Sequence, residues 1–186
     1  MRVFGVFVCS IVLLFGCSDL EKSDQLKSIA TMRGTLDSLE TEVKRNEIDT
    51  IAALTVATNS VELRIKNYYD SDTINLELGK KMNAYKLMRR SLSPLGRSYS
   101  TLTQGIKDQR EQLTNLTSDI ENGNGKRNEY NAYLLHEQTK LDQLKTVFDS
   151  YKKEKNKTMK TFHALHPYLD SFSREQAEIY NKKHPR

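Results

Sequence analysis

Apolar residues recur every seven positions through most of this 186-residue chain. The clearest series runs Leu78, Tyr85, Leu92, Tyr99, Ile106, Leu113 and Ile120, with a companion at Ile74, Lys81, Met88, Leu95, Leu102, Gln109 and Leu116. Only Lys81 and Gln109 interrupt it. A repeat averaging 3.5 residues keeps one stripe of an α-helix facing a neighbour as the two supercoil, so the chain must form long helices that bury a shared seam. No strand-alternating segment appears. The absence of Trp, with 3 Pro, 8 Gly and 28% charged residues, points the same way.

A later stretch repeats the design, with Leu134, Leu141, Phe148, Lys155, Phe162 and Leu169 against Tyr130, Glu137, Leu144, Tyr151, Thr158, Leu165 and Phe172. Its seam is more polar and more aromatic. The first stretch carries one stripe at Leu26, Ile29, Leu36, Leu39 and Val43, and another at Ile51, Leu54, Val61, Ile65 and Tyr68. The register slips between Asn46 and Thr50, which a local change in supercoiling or a bend can absorb. Asp70-Ser71-Asp72-Thr73 marks one turn, with Asp72 or Ser71 as candidate cap of the next helix. Asn122-Gly123-Asn124-Gly125 is the strongest turn signal. Short connections make long helices antiparallel neighbours.

The expectation is an all-α fold: an elongated antiparallel helical coiled coil, arranged as an up-down-up three-helix bundle. Its helices would cover about 20–69, 73–121 and 126–166, each about 70 Å long at 1.5 Å per residue. The seam keeps its phase across Ser93-Pro94, so Pro94 is expected to kink a continuous helix, the alternative being a break with Ser93 as cap. Pro167 is expected to kink or end the third helix near 166. Residues 168–180 would then form a short amphipathic helix folding back through Leu169, Phe172 and Ile179. Residues 181–186 read as a frayed basic tail.

Ahead of this body stand Arg2 and an apolar run from Val3 to Phe15 interrupted only by Gly5 and Ser10. That is the layout of a cleavable export signal, and the run is too short to span a bilayer comfortably. From layout alone the cut could fall elsewhere, or the segment could stay as an anchor. Leu14-Phe15-Gly16-Cys17 resembles the lipobox of bacterial lipoproteins. The resemblance covers residues 1–19 and implies a signal peptide at 1–16 and a mature body at 17–180. It also implies diacylglycerol transfer to the Cys17 sulfur, cleavage between Gly16 and Cys17, and acylation, typically by palmitate, of the new amino terminus. Several acyl chains give stable attachment where one holds only marginally. Ser18 follows the cysteine where lipoproteins retained in the inner membrane typically carry Asp, which favours the outer membrane. With Cys9 in the signal and Cys17 acylated, the mature chain keeps no free thiol and must be stabilised by packing.

No catalytic constellation is legible. Gly123 and Gly125 lie between helical patterns, and Lys126 is not followed by Ser or Thr, so a phosphate loop is not expected. His163 and His166 stand three apart, but no Asp, Glu or Cys near them completes a metal shell. The expectations are accordingly no enzyme, no cofactor, no metal and no small-molecule substrate.

Charge changes along the chain. Cys17 to Thr50 carries 8 acidic and 5 basic residues, whereas Tyr151 to Arg186 carries 9 basic and 4 acidic. Lys152, Lys153, Lys155, Lys157 and Lys160 are candidates for touching anionic head groups, cell-wall polymer or an acidic partner, against the plainer reading of a solvated helix face. An exported chain does not meet the chromosome, so nucleic acid is not an expected partner. Asp37-Ser38-Leu39, Asp49-Thr50-Ile51 and Asp72-Thr73-Ile74 are similar to the O-glycosylation signal of Bacteroidota periplasmic proteins. Helix-surface patterning also produces such triplets.

These features give an expected function: a lipid-anchored cell-envelope lipoprotein whose coiled coil tethers or adapts through protein contacts, by binding an envelope partner or itself. The polar seam positions Glu137, Lys155 and Thr158 motivate the search for a second chain. The alternative is a holding chaperone resembling the basic, tentacled periplasmic chaperones, although their β-rich oligomerisation body has no counterpart here.

Overall fold

The computed structural model describes residues 4–47, 51–73 and 75–185, with side chains from Leu20 onward. The Cys17 side chain, Arg2, seam residue Ile74, and Asp49 and Thr50 of one glycosylation-like triplet therefore lie outside the described residues.

Among the described residues the chain is all-α: α1 (Phe4–Arg45), α2 (Ile51–Tyr68), α3 (Leu76–Asn122) and α4 (Tyr130–Lys183), with a 3₁₀ turn at Arg127–Glu129. The helices bury their seams against one another as a helical bundle. Two compact units form, each with its own core. The first takes Met1–Arg45 and Leu102–Val147, the second Asn46–Thr101 and Phe148–Arg186.

In the first unit the heptad residues Ile29, Leu36, Leu39 and Val43 of α1, Leu102, Ile106, Leu113, Leu116 and Ile120 of α3, and Leu134 and Leu141 of α4 are all buried. Met32 of α1 joins them. Lys22 Nζ donates to the Glu121 carbonyl at 2.8 Å, while Arg110 pairs with Asp37 (2.7 Å) and Glu40 (2.6 Å), so α1 and α3 run antiparallel. Gln109 opposite Glu137, with Gly105 facing Leu144, makes α3 and α4 antiparallel as well.

In the second unit, Arg89 of α3 pairs with Glu62 of α2 at 2.8 Å, and Gly96 faces Ile51. Tyr85 meets His166, and Ser91 meets Thr158. Here too α3 runs antiparallel to both of its neighbours. Val61, Ile65, Leu78, Tyr85, Met88 and Leu169 form a buried cluster, with Phe162, Leu165 and Phe172 packed on it.

Several boundaries differ from the sequence expectation, among them the start of α1, at Phe4 and not near residue 20. The helix expected over 20–69 is two helices, since α1 stops at Arg45 and α2 starts at Ile51. Ending one helix and starting another resets the apolar stripe that slips in phase there, and Asn46 competes with helical backbone. In the second unit the Asn46 carbonyl accepts hydrogen bonds from Tyr151 Oη (2.7 Å) and Lys155 Nζ (2.9 Å), which offsets the loss of helical partners.

The expected break near 166 is absent, because α4 continues through Pro167 to Lys183. Phe162, Leu165, Leu169 and Phe172 keep helical spacing on both sides of the proline and share one cluster, so packing overrides the missing N–H. Residues 168–180 do not fold back, and the tail from 181 is helical as far as Lys183. Tyr180 stacks on His184 with ring centroids 4.4 Å apart and sits 5.5 Å from Tyr68.

The cap of α3 is neither Ser71 nor Asp72 but Asn75, whose Oδ1 accepts from the Leu78 N–H at 2.9 Å. Ser71 instead bonds the Thr73 backbone within the turn. Pro94, as expected, lies inside a continuous α3, where Leu92 and Leu95 are buried on either side of it.

The turn after α3 follows its glycines. Gly123 (φ 67°) and Gly125 (φ 75°) take the left-handed conformation. The Asn124 N–H then closes on the Asp119 carbonyl at 2.9 Å, a Schellman-type end. The hydroxyl of buried Tyr130 reaches the same carbonyl at 2.9 Å, pinning the entry to α4.

Candidate interaction surface

The polar residues that interrupt the seams all have partners inside the chain. In the first unit, Gln109 and Glu137, on different helices, are both buried, and Gln109 Nε2 donates to the Glu137 carbonyl and to its carboxylate at 3.0 Å each. Lys140 completes the carboxylate's shell at 3.1 Å. In the second unit, Lys155 is turned onto Asn46, and buried Thr158 bonds Ser91 at 2.8 Å. Lys81 pairs with Glu77 at 2.8 Å and lies over the Tyr168 ring at 4.3 Å. Glu137, Lys155 and Thr158 thus fix register within one chain, and their polarity no longer argues for a second one.

The two histidines divide. His163 is exposed, while half-buried His166 stacks on Phe162 at 4.4 Å and lies with Nδ1 2.5 Å from the hydroxyl of fully buried Tyr85. Burial pushes the His166 imidazole below its ordinary value, and Arg64 and Arg174 add to this against the opposing charge of Asp170. Burial likewise raises the Tyr85 phenol, and pushes that of Tyr151 up to about 12. Burial alone would raise Asp170, but the hydrogen bond from Arg174 at 2.9 Å and the charges of Arg174 and Arg64 outweigh it, leaving the carboxyl lowered. Arg64 also donates to buried Ser173 at 2.9 Å. The network has the chemistry of a helix–helix clamp. No group of three or more His, Cys, Asp or Glu able to hold a metal occurs among the described residues.

Of the five lysines singled out from the sequence, the structure brings three to one exposed face. Lys153, Lys157 and Lys160 sit at i, i+4 and i+7 on α4. Lys152 is half-buried, pairing with Asp149 at 3.6 Å and lying 5.0 Å over the Phe148 ring. Lys157 has only a long contact to Glu154, 3.7 Å. Lys155 leaves the patch for the core side.

Heptad reasoning missed a second surface because it followed buried positions alone. Val56 and Leu63 of α2, seven residues apart, are 66% and 56% exposed. Bundle packing gives no reason for apolar residues on that outer face. Their spacing was the signal available in the sequence.

No helix among the described residues is long and apolar enough to cross a membrane. The chain matches no protein-family model, no curated protein sequence and no solved structure.

Proposed function

We propose that this chain is a lipid-anchored lipoprotein of the bacterial cell envelope, favouring the outer membrane, whose helical body works as a non-catalytic tether or adaptor through protein contacts. The observation that carries the reading is Leu14-Phe15-Gly16-Cys17, standing at the end of an apolar run and directly ahead of a heptad-patterned body. Acyl chains on Cys17 would hold one end at a membrane while surfaces of the helices engage a partner. With the polar seam positions occupied internally, the contacts fall to the Lys153, Lys157 and Lys160 face and to the outer face of α2.

Metabolic labelling with an alkyne fatty acid tests the anchor. The mature chain should take up label and fractionate with membranes, and Cys17→Ala should abolish both. Unchanged membrane association of the unlabelled Cys17→Ala chain would overturn the anchor. Chemical crosslinking in intact cells, with capture through a C-terminal tag, tests the tether. One stoichiometric envelope protein is expected, whereas many unrelated proteins caught during export would favour the holding chaperone.

A further inference from the structure

We propose that the groove between α2 and α3 in the second unit docks an acidic amphipathic helix of another protein. The groove is open to solvent and offers about 620 Å³, a volume suited to a cluster of inserted side chains. Leu63, Ile65 and Met82 supply apolar surface, and Lys66 and Lys86 stand at its sides, one on each helix. The one acid lining it, Glu62, is already neutralised by Arg89 at 2.8 Å. Lys66 and Lys86 are exposed and form no ion pair among the described residues. The site therefore presents an apolar slot between two uncompensated positive charges.

That charge pattern selects the occupant. A helix with apolar residues at i, i+3, i+4 and i+7 can lay that ridge between α2 and α3 as a further bundle member, with Asp or Glu beside the ridge meeting the lysines. A helix flanked by Lys or Arg would be repelled from both sides. A bilayer fits less well, because Ile65 is buried and Met82 half-buried on the inner side of the groove, where a ridge of inserted side chains reaches them and a flat lipid surface does not. Exposed Val56, one heptad before Leu63, extends the apolar face along α2.

The inference rests on the adaptor reading for the existence of a protein partner, and the test separates the two. A photoreactive side chain replaces Leu63 in the full chain in its native cells, with exposed Gln143 of the first unit as control position, and crosslinked peptides are sequenced by mass spectrometry. The expected adduct joins position 63 to one segment of another protein with helical apolar spacing and flanking acids. The combination Lys66→Glu and Lys86→Glu should lower its yield by about tenfold while circular dichroism and the unfolding midpoint stay unchanged. Position 143 should not give it. Adducts to lipid, to a second copy of this chain, or to a segment lacking acids would overturn the proposal. So would a partner caught by a general crosslinker but never from position 63, which leaves the adaptor reading standing. Failure to capture any partner by either route overturns both.

Discussion

The two units close the same heptad pattern with different chemistry. The first is aliphatic: Ile29, Leu36, Val43, Leu102, Leu113 and Leu141 fill it, Tyr130 is its buried aromatic residue among those described, and its buried polar residues are Gln109 and Glu137, bonded to each other, and Gln25, which donates to Asn131 at 3.0 Å. The second mixes Tyr85, Phe148 and Tyr151 with Thr158 and Ser173, and joins its helices through Tyr85–His166, Ser91–Thr158 and Arg64–Asp170. Aliphatic burial is strong but non-directional, whereas a buried hydrogen bond fixes one register and penalises others. Both units carry such pairings, but the first sets them among aliphatic side chains and the second among aromatic ones. No buried polar side-chain atom lacks a partner among the described residues, so the pairings carry no desolvation penalty for unmet groups.

The largest expected effect tests the aliphatic half. Leu113 is fully buried, and Leu113→Ala should cost about 3 kcal/mol in urea unfolding, more than any single polar substitution in the second unit. A loss under about 1 kcal/mol would mean the seam is loosely packed. Next comes a buried polar pair in that unit. Gln109→Leu leaves the buried Glu137 carboxylate with Lys140 as its remaining side-chain partner and should cost about 2 kcal/mol, while Gln109→Leu with Glu137→Leu should lie near the parent. If the double variant were as unstable as the single, the layer would contribute stability outright, and its aliphatic surroundings could not replace it. A smaller gain is expected from Gly34→Ala in α1, where an added Cβ meets nothing within 4 Å, and it should stabilise by up to about 1 kcal/mol. Gly105→Ala should return less, since its Cβ would stand 2.7 Å from Leu144 Cδ2 and force that side chain to move.

The smallest effect is the pH response of the second unit. His166 is held below its ordinary value of 6.5, so the unfolded chain takes up the proton more readily than the folded one. Its contribution is fully present above 6.5 and is lost as pH falls through the lowered value. Unfolding midpoints should therefore drop on acidification below 6.5, and less so in His166→Gln, whose amide can still accept from Tyr85. Parallel pH profiles for the two proteins would remove His166 from the clamp.

Much of this fold was legible because heptad spacing reports burial directly: the α3 series from Leu78 to Ile120 is buried except for half-exposed Tyr99. Spacing does not report which residues on different helices face each other. Gln109 and Glu137 read as two separate flaws, and only the register set by the Gly123–Gly125 turn makes them partners. Local propensity misled where packing outweighed it, as at Pro167, which Leu169 and Phe172 carry within α4. The turn cluster at residues 70–73 likewise drew attention from Asn75, three residues before seam residue Leu78 and the true cap. The groove went unread because it lies on the outward side of the same helices.

The most direct test is whether the polar seam pairs form inside one chain. In a chain carrying Cys9→Ser and Cys17→Ser, Ser91→Cys with Thr158→Cys introduces the two reactive sulfurs where the native oxygens lie 2.8 Å apart. After mild oxidation of the full chain, we expect an intrachain disulfide and monomer mobility on a non-reducing gel. Covalent dimers, or two thiols that stay reduced, would contradict a seam closed within the chain.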